Sequence, residues 1–71
     1  MDTENFEKRF GMIAVEQGFV SSEQVSEALK LQLEENLEKN SHRFIGKILI
    51  DLGYLQQPQL KQVLELMGVY H

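Results

Sequence analysis

Apolar residues recur at helical spacing in four stretches of the chain, and polar stretches separate them. Apolar side chains at every third or fourth position place one face of a helix against a core. The strict alternation of apolar and polar residues that marks a half-buried strand does not extend over any useful length. The pattern therefore predicts helices near residues 4–17, 22–39, 43–52 and 57–67.

The expected helix ends carry their own signals. Gly18 and Gly53 each follow an apolar stripe and supply the left-handed residue that ends many helices. Ser21 and Gln24 have the spacing of a capping box at the start of the second helix. Pro58 falls in the first turn of the last helix, where its missing N–H costs little. These signals divide the chain into two helix–turn–helix units.

The two units are copies of one another. Residues 9–32 align with residues 44–67 at an offset of 35 positions. Six aligned pairs are identical: Gly11/Gly46, Ile13/Ile48, Gly18/Gly53, Gln24/Gln59, Leu29/Leu64 and Leu31/Leu66. Because two copies are too few for a solenoid, we expect them to pack on each other as one domain over residues 1–71. The prediction is an all-α fold, a small four-helix bundle made of two tandem helix-turn-helix repeats with a polar linker over 33–43.

The apolar stripes also predict the core and a candidate interface. We expect eight side chains to be buried: Phe10, Ile13, Val25, Leu29, Ile45, Leu49, Leu60 and Leu64. Leu31, Leu33 and Leu37 widen the stripe of the second helix beyond what one small core needs, so they are candidate interface residues. Since one core in 71 residues gives a thin stability margin, a homodimer is a natural supplement.

Composition and charge exclude several classes of function. The chain has no Cys, and its two His residues, His42 and His71, are too few for an all-imidazole metal site. A net charge of −4 argues against a DNA- or RNA-binding protein that neutralises phosphates. The acidic start is not a signal peptide, and no stretch approaches the roughly 20 apolar residues that cross a bilayer. We therefore expect a cytoplasmic protein that is not inserted in a membrane.

Residues for catalysis are not evident. No acid and base pair or activated nucleophile is apparent in the sequence, so we expect no enzymatic activity, no metal and no cofactor. The carboxylates Glu34, Glu35 and Glu38 are expected to form a solvated helix face, since nothing in the sequence converges on them. His42 is expected to be exposed in the polar linker.

Two features interrupt the apolar pattern. Gln32 falls on the apolar face of the second helix, whereas its mate Met67 is apolar. Gly11 and Gly46 lie inside predicted helices, where Gly costs about 1 kcal/mol relative to Ala. The glycines permit either close helix packing or a ligand close to the backbone. In one interpretation, Arg9 extends to solvent and Gln32 bonds a helix end. In the other, the two side chains form a shared polar site beside Gly11.

One set of residues in the first copy has the spacing of a known family motif: Arg9, Phe10, Gly11, Gly18, Val25, Leu29 and Gln32. The set resembles the tandem motif in the N-terminal domain of bacterial type II secretion and type IV pilus assembly ATPases. The cyclic-di-GMP-binding version of that domain is known as the MshEN domain. The resemblance covers residues 9–67 and implies an all-helical module of two repeats. In the binding members, Arg and Gln contact guanine and phosphate, while apolar side chains support the base and ribose.

Transferred to this chain, the resemblance implies a cyclic-di-GMP site drawn from both copies: Arg9, Phe10, Gly11, Val25, Leu29, Gln32, Arg43, Ile45, Gly46, Leu60 and Leu64. The second copy departs from the motif, because Phe44 stands where Arg is expected and Met67 where Gln is expected. Two hypotheses follow. The chain is a non-catalytic docking module that binds a protein partner, or it is a cyclic-di-GMP receptor that uses the first copy. The polar residues missing from the second copy favour the docking module.

Overall fold

The computed structural model describes residues 3–68 of the chain, and the side chains of residues 5–68. Four helices follow one another: α1 Thr3–Glu16, α2 Ser22–Lys39, α3 Ile45–Asp51 and α4 Gln57–Leu66. Over this described part of the chain there is no strand. The all-α prediction is confirmed, and each predicted helix bound agrees with the observed one to within two residues.

The two helix–turn–helix units share one local geometry. Gly18 and Gly53 end α1 and α3 with φ of +78° and +85°, a region in which an L side chain is strained. The residue after each glycine donates its N–H to the carbonyl five residues earlier, at 3.0 Å in the first unit and 2.9 Å in the second. Ser21 and Gln56, 35 positions apart, each form a capping box with the glutamine three residues later. The repeat in the sequence is therefore a repeat of hydrogen bonds.

The core is assembled from equivalent positions of the two repeats. Nine apolar side chains are buried: Phe10, Ala14, Val20, Ala28, Ile45, Ile48, Leu49, Leu55 and Val63. Eight of them form four pairs at the 35-residue offset: Phe10/Ile45, Ala14/Leu49, Val20/Leu55 and Ala28/Val63. Helix α3 packs against α1 and α2, and α4 packs against α1. Each repeat thus contributes the same positions to one shared core.

The core prediction needs correction, mostly on the second helix of each repeat. Ala28 and Val63 lie at the centre and are fully buried. Four predicted core residues are only half-buried: Ile13, Val25, Leu60 and Leu64. Leu29 was predicted to be buried and is exposed. The apolar face of α2 is wider than the part of it that is buried, and Ala28 lies in that buried part.

Phe44 joins the two repeats through an aromatic cluster. Its ring centroid lies 5.7 Å from that of Phe6 and 5.0 Å from that of Phe10, in tilted and edge-to-face arrangements. Such geometries are favourable for aromatic pairs. Phe44 therefore packs against α1 at the position where the family motif has Arg.

Candidate functional site

A buried carboxylate connects three parts of the fold. Glu7 on α1 is only 3% exposed, and its Oε1 accepts hydrogen bonds from Gln32 Nε2 at 2.5 Å and from the Ile45 N–H at 2.8 Å. Its Oε2 lies 2.6 Å from His42 Nε2. One side chain thus holds α1, α2 and the start of α3 together. We refer to Glu7, Gln32, Asn36 and His42 as the Glu7 cluster.

Glu7 supplies a cap for α3, which has no side-chain cap of its own. The first N–H groups of a helix lack partners within the helix, and Phe44 at the N-cap position makes no side-chain capping bond. Glu7 replaces that cap from α1, and its negative charge lies at the positive end of the α3 dipole. Gln32 also donates to the Arg43 carbonyl at 2.8 Å. This contact accords with the interpretation in which Gln32 bonds a helix end.

His42 extends the Glu7 cluster towards the surface. Its side chain is partly exposed, and its Nδ1 lies 3.3 Å from Asn36 Nδ2. When Nδ1 accepts from that amide, Nε2 carries the proton that Glu7 accepts. The prediction that His42 is exposed is confirmed, since 44% of its side chain is exposed, but the side chain also holds the segment before α3 against α1 and α2. His71 lies outside the described residues.

Arg43 is bound by two carboxylates. It donates to Glu35 through Nε at 3.1 Å and through Nη2, and to Asp51 through Nη1 at 2.5 Å. The hydrogen bonds from Arg43 hold the pKa of the Glu35 carboxyl below its ordinary value, and those carboxylates raise the pKa of Arg43. Glu35 therefore does not belong to the solvated acidic face that the sequence predicts. The charge of Arg43 is engaged within the protein.

The structure does not bring Arg9 and Gln32 together. Residues two apart on an α-helix point about 160° away from each other, so Arg9 projects from nearly the opposite side of α1 to Glu7. Gln32 is bonded to Glu7, whereas the Arg9 side chain is exposed. The small cavity beside Gln32, about 210 Å³, is lined by Glu7, Lys8, Leu29, Leu33, Asn36 and His42 but not by Arg9.

The two helix glycines are explained by helix packing. A Cβ on Gly11 would lie 3.0 Å from Val25 Cγ1, and a Cβ on Gly46 would lie 2.6 Å from Leu60 Cδ1. Val25 and Leu60 are themselves equivalent at the 35-residue offset. In each repeat the glycine therefore lets the first helix approach the second at the same place. These contacts favour close helix packing, rather than a ligand close to the backbone, as the reason for both glycines.

The remaining residues of the expected nucleotide site fall on separate parts of the molecule. Phe10 and Ile45 are fully buried in the core. Leu60 and Leu64 line a cavity of about 450 Å³ on α4, with Gln57, Pro58 and Lys61. Val25 and Leu29 line a different cavity, between α1 and α2. The residues that the family motif would converge on a ligand are thus divided between the core and two surfaces.

The cavity between α1 and α2 is larger and more apolar than the two cavities described above. It encloses about 520 Å³ and is lined by Lys8, Met12, Val15, Glu16, Ser22, Val25, Ser26 and Leu29. We refer to it as the α1–α2 cleft. Met12 is 61% exposed there although it is a large apolar residue on a helix that otherwise contributes to the core. Only Lys8 and Glu16 bring charge to the lining, and they lie towards opposite ends of α1.

The three leucines predicted as interface residues divide into two groups. Leu31 is half-buried and packs against the core, so the prediction that it widens an outer face needs correction. Leu33 and Leu37 are 58% and 77% exposed, as an interface would require. Together with Leu29, which is 37% exposed, they follow one another at four-residue spacing on α2. We refer to Leu29, Leu33 and Leu37 as the leucine row.

Residues 3–68 contain neither a metal-binding cluster nor a membrane-spanning helix. No group of three or more His, Cys, Asp or Glu side chains in this range is arranged to hold a metal ion. Within the same range, every helix is too short or too polar to span a bilayer.

Comparison with protein-family models, with curated proteins and with solved structures gives no match to this chain.

Sequence reasoning missed Glu7, although a signal for it was present. Glu7 precedes Phe10 and Ala14 by three and seven positions, so it lies on the stripe of α1 that faces the core. A polar residue on an apolar face is the same signal that identified Gln32. The two polar interruptions bond each other across the interior, which explains why the chain contains both.

Proposed function

We propose that the chain is a non-catalytic docking module, resembling the N-terminal arm of secretion and pilus ATPases, that binds a helical segment of a protein partner in the α1–α2 cleft. The exposed Met12 beside an apolar cavity is the observation that carries this proposal. Val15 and Val25 form the half-buried floor of the same cavity. An apolar trough between two helices is the surface that receives an amphipathic helix.

The charges of the cleft favour one orientation of the partner helix. Lys8 and Glu16 are two helical turns apart on α1, about 12 Å along its axis. A partner helix with an acidic residue near Lys8 and a basic residue near Glu16 matches both ends. The reversed helix would place like charges together, which disfavours that orientation.

The contacts support docking over cyclic-di-GMP binding. The amide of Gln32 donates to Glu7 and to the Arg43 carbonyl, and the guanidinium of Arg43 is held by Glu35 and Asp51. The side chain of Arg9 is exposed, and it lies on the far side of α1 from Gln32. A nucleotide grip through these residues would first have to break the bonds that hold the entry to α3.

A titration of the ¹⁵N-labelled chain with cyclic-di-GMP tests the alternative directly. We expect no saturable change in the amide chemical shifts. Saturation at low micromolar ligand, with shifts centred on Arg9 and Gln32, would replace the docking proposal with a receptor function. Phe44→Arg with Met67→Gln restores the motif of the second copy, and it serves as the variant in which a gain of binding is sought.

Site-directed photo-crosslinking tests the docking itself. A photoreactive residue is placed at Met12 or, as a control, at Leu66, which is 57% exposed on α4. A protein captured only from position 12 is identified, purified and titrated against the labelled chain. We expect its amide shifts to map to the cleft, and Met12→Glu to weaken binding at least tenfold while Leu66→Glu leaves it unchanged. Capture that is equal from both positions would contradict the proposal.

A further inference from the structure

The leucine row shares Leu29 with the lining of the α1–α2 cleft and continues beyond the cleft along α2. Leu33 and Leu37 do not line the cleft, and they are among the most exposed large apolar residues described. A row at positions i, i+4 and i+8 is the ridge that two helices bring together in the commonest class of helix pairing. Neither Leu33 nor Leu37 belongs to the core of the described residues, so neither exposure is explained by the fold.

A row of charges runs beside the leucine row. Lys30, Glu34 and Glu38 each follow one of the leucines by a single residue, and all three are exposed. Within residues 5–68 none of them forms an ion pair or a side-chain hydrogen bond. The order of the row is one positive charge followed by two negative charges. Such a row is complementary to its own reversed copy.

We infer that α2 pairs with α2 of a second copy of the chain in antiparallel orientation, with Leu33 facing Leu33 across a two-fold axis. Leu29 of each copy then faces Leu37 of the other. Lys30 falls between Glu34 and Glu38 of the second copy, about 3 Å from the level of each along the helix axis. The two-fold axis repeats this arrangement, so all six charges find opposite charges.

The charges also select the orientation. In a parallel pair, the two-fold axis runs along the helices and places the two charged rows on opposite flanks of the interface. Lys30, Glu34 and Glu38 would then gain no opposite charge from the row of the other copy. The antiparallel pair instead satisfies both the apolar row and the charged row. Of the residues that line the α1–α2 cleft, Leu29 joins the paired ridge, whereas Met12 and Val15 lie outside it. The inference is argued from the leucine row and its charges and does not depend on the proposed docking function.

Sedimentation equilibrium of the purified chain, from about 10 µM to about 1 mM, tests the pairing. We expect a monomer–dimer equilibrium in the parent and at least tenfold weaker association in Leu33→Glu. Leu66→Glu is the matched control, because Leu66 is 57% exposed and Leu33 is 58% exposed. Circular dichroism confirms that each variant is folded, and Leu37→Glu replaces Leu33→Glu if the latter unfolds. A parent that stays monomeric, or a dimer weakened equally by both substitutions, would overturn the inference.

Charge reversal tests the antiparallel register. Lys30→Glu should weaken the dimer roughly tenfold, since it replaces attraction to two glutamates with repulsion. Combining Lys30→Glu with Glu34→Lys and Glu38→Lys should restore the parental association, because the reversed row is again complementary to itself. In a parallel pair the two charged rows lie on opposite flanks, so Lys30→Glu would leave association nearly unchanged. That result, or a triple variant as weak as the single one, would refute the proposed register.

Discussion

Glu7 and His42 each lie two residues before the start of a repeat, 35 residues apart, and their side chains meet with 2.6 Å between Glu7 Oε2 and His42 Nε2. The copies are equal in their turns and core positions but not at this pair. Glu7 is buried and caps α3, whereas His42 remains partly exposed in the segment before α3. The repeat thus builds a symmetric core, and this pair joins its two halves asymmetrically.

Removing the carboxylate of Glu7 should destabilise the fold. Glu7→Ala leaves the Ile45 N–H and the Gln32 amide without their acceptor, at a cost of about 1–3 kcal/mol for each unpaired group. Glu7→Gln retains an acceptor oxygen and should lose less. Urea denaturation measures the free energy of unfolding, with the exposed Glu16→Ala on the same helix as the control. Equal stability of Glu7→Ala and Glu16→Ala would exclude the capping role.

Two leucine truncations should separate the core from the outer face. Leu49→Ala removes a fully buried side chain and should cost about 2–5 kcal/mol, enough to unfold so small a domain. Leu29→Ala should cost only about 1–2 kcal/mol, because Leu29 already contacts water and leaves no closed cavity. Urea denaturation at low protein concentration measures the loss of unfolding free energy in both variants. A larger loss for Leu29→Ala would place the core where the sequence pattern put it.

The helix glycines should differ in their response to alanine. A Cβ at Gly46 would lie 2.7 Å from Phe44 Cε2 and 2.6 Å from Leu60 Cδ1, and Phe44 is held by its aromatic neighbours. Overpacking of this kind costs about 1–3 kcal/mol, which exceeds the helix propensity gained. At Gly11 the only close contact is Val25 Cγ1 at 3.0 Å, so the two effects nearly cancel. The melting temperature should therefore fall for Gly46→Ala and change little for Gly11→Ala.

Acid should weaken the pairing of Arg43 with Glu35. Because the folded state lowers the pKa of Glu35 below its ordinary 4.5, the ionised pair contributes stability above that pH. The contribution is lost as the pH falls through the folded pKa. Arg43→Gln should therefore lose less stability than the parent between neutral pH and pH values below 4.5. Arg9→Gln, which changes an exposed arginine, should follow the parent curve in the same urea titrations.

The helices and turns follow from the sequence because their causes are local. Gly18 and Gly53 end helices through their own backbone conformation, and Ser21 bonds a residue three positions away. The 35-residue repeat is likewise visible in the sequence itself, and it identifies which positions of the two copies are equivalent. Gly11 and Gly46 were recognised as unusual on the same basis. Sequence alone could not choose between packing and a ligand for them, since that depends on what lies opposite.

The sequence by itself determined the number, order and ends of the helices, and it marked Gln32 as a polar residue on an apolar face. Only the tertiary structure decided what these residues contact. Glu7 bonds residues 25 and 38 positions away, and Arg43 combines carboxylates from α2 and α3. Which part of the wide α2 face is buried depends on where α1 and α3 press against it, and so Ala28 is buried while Leu29 faces water. Such contacts depend on the angles and depths of helix packing, and hydrophobic spacing along one helix does not encode them.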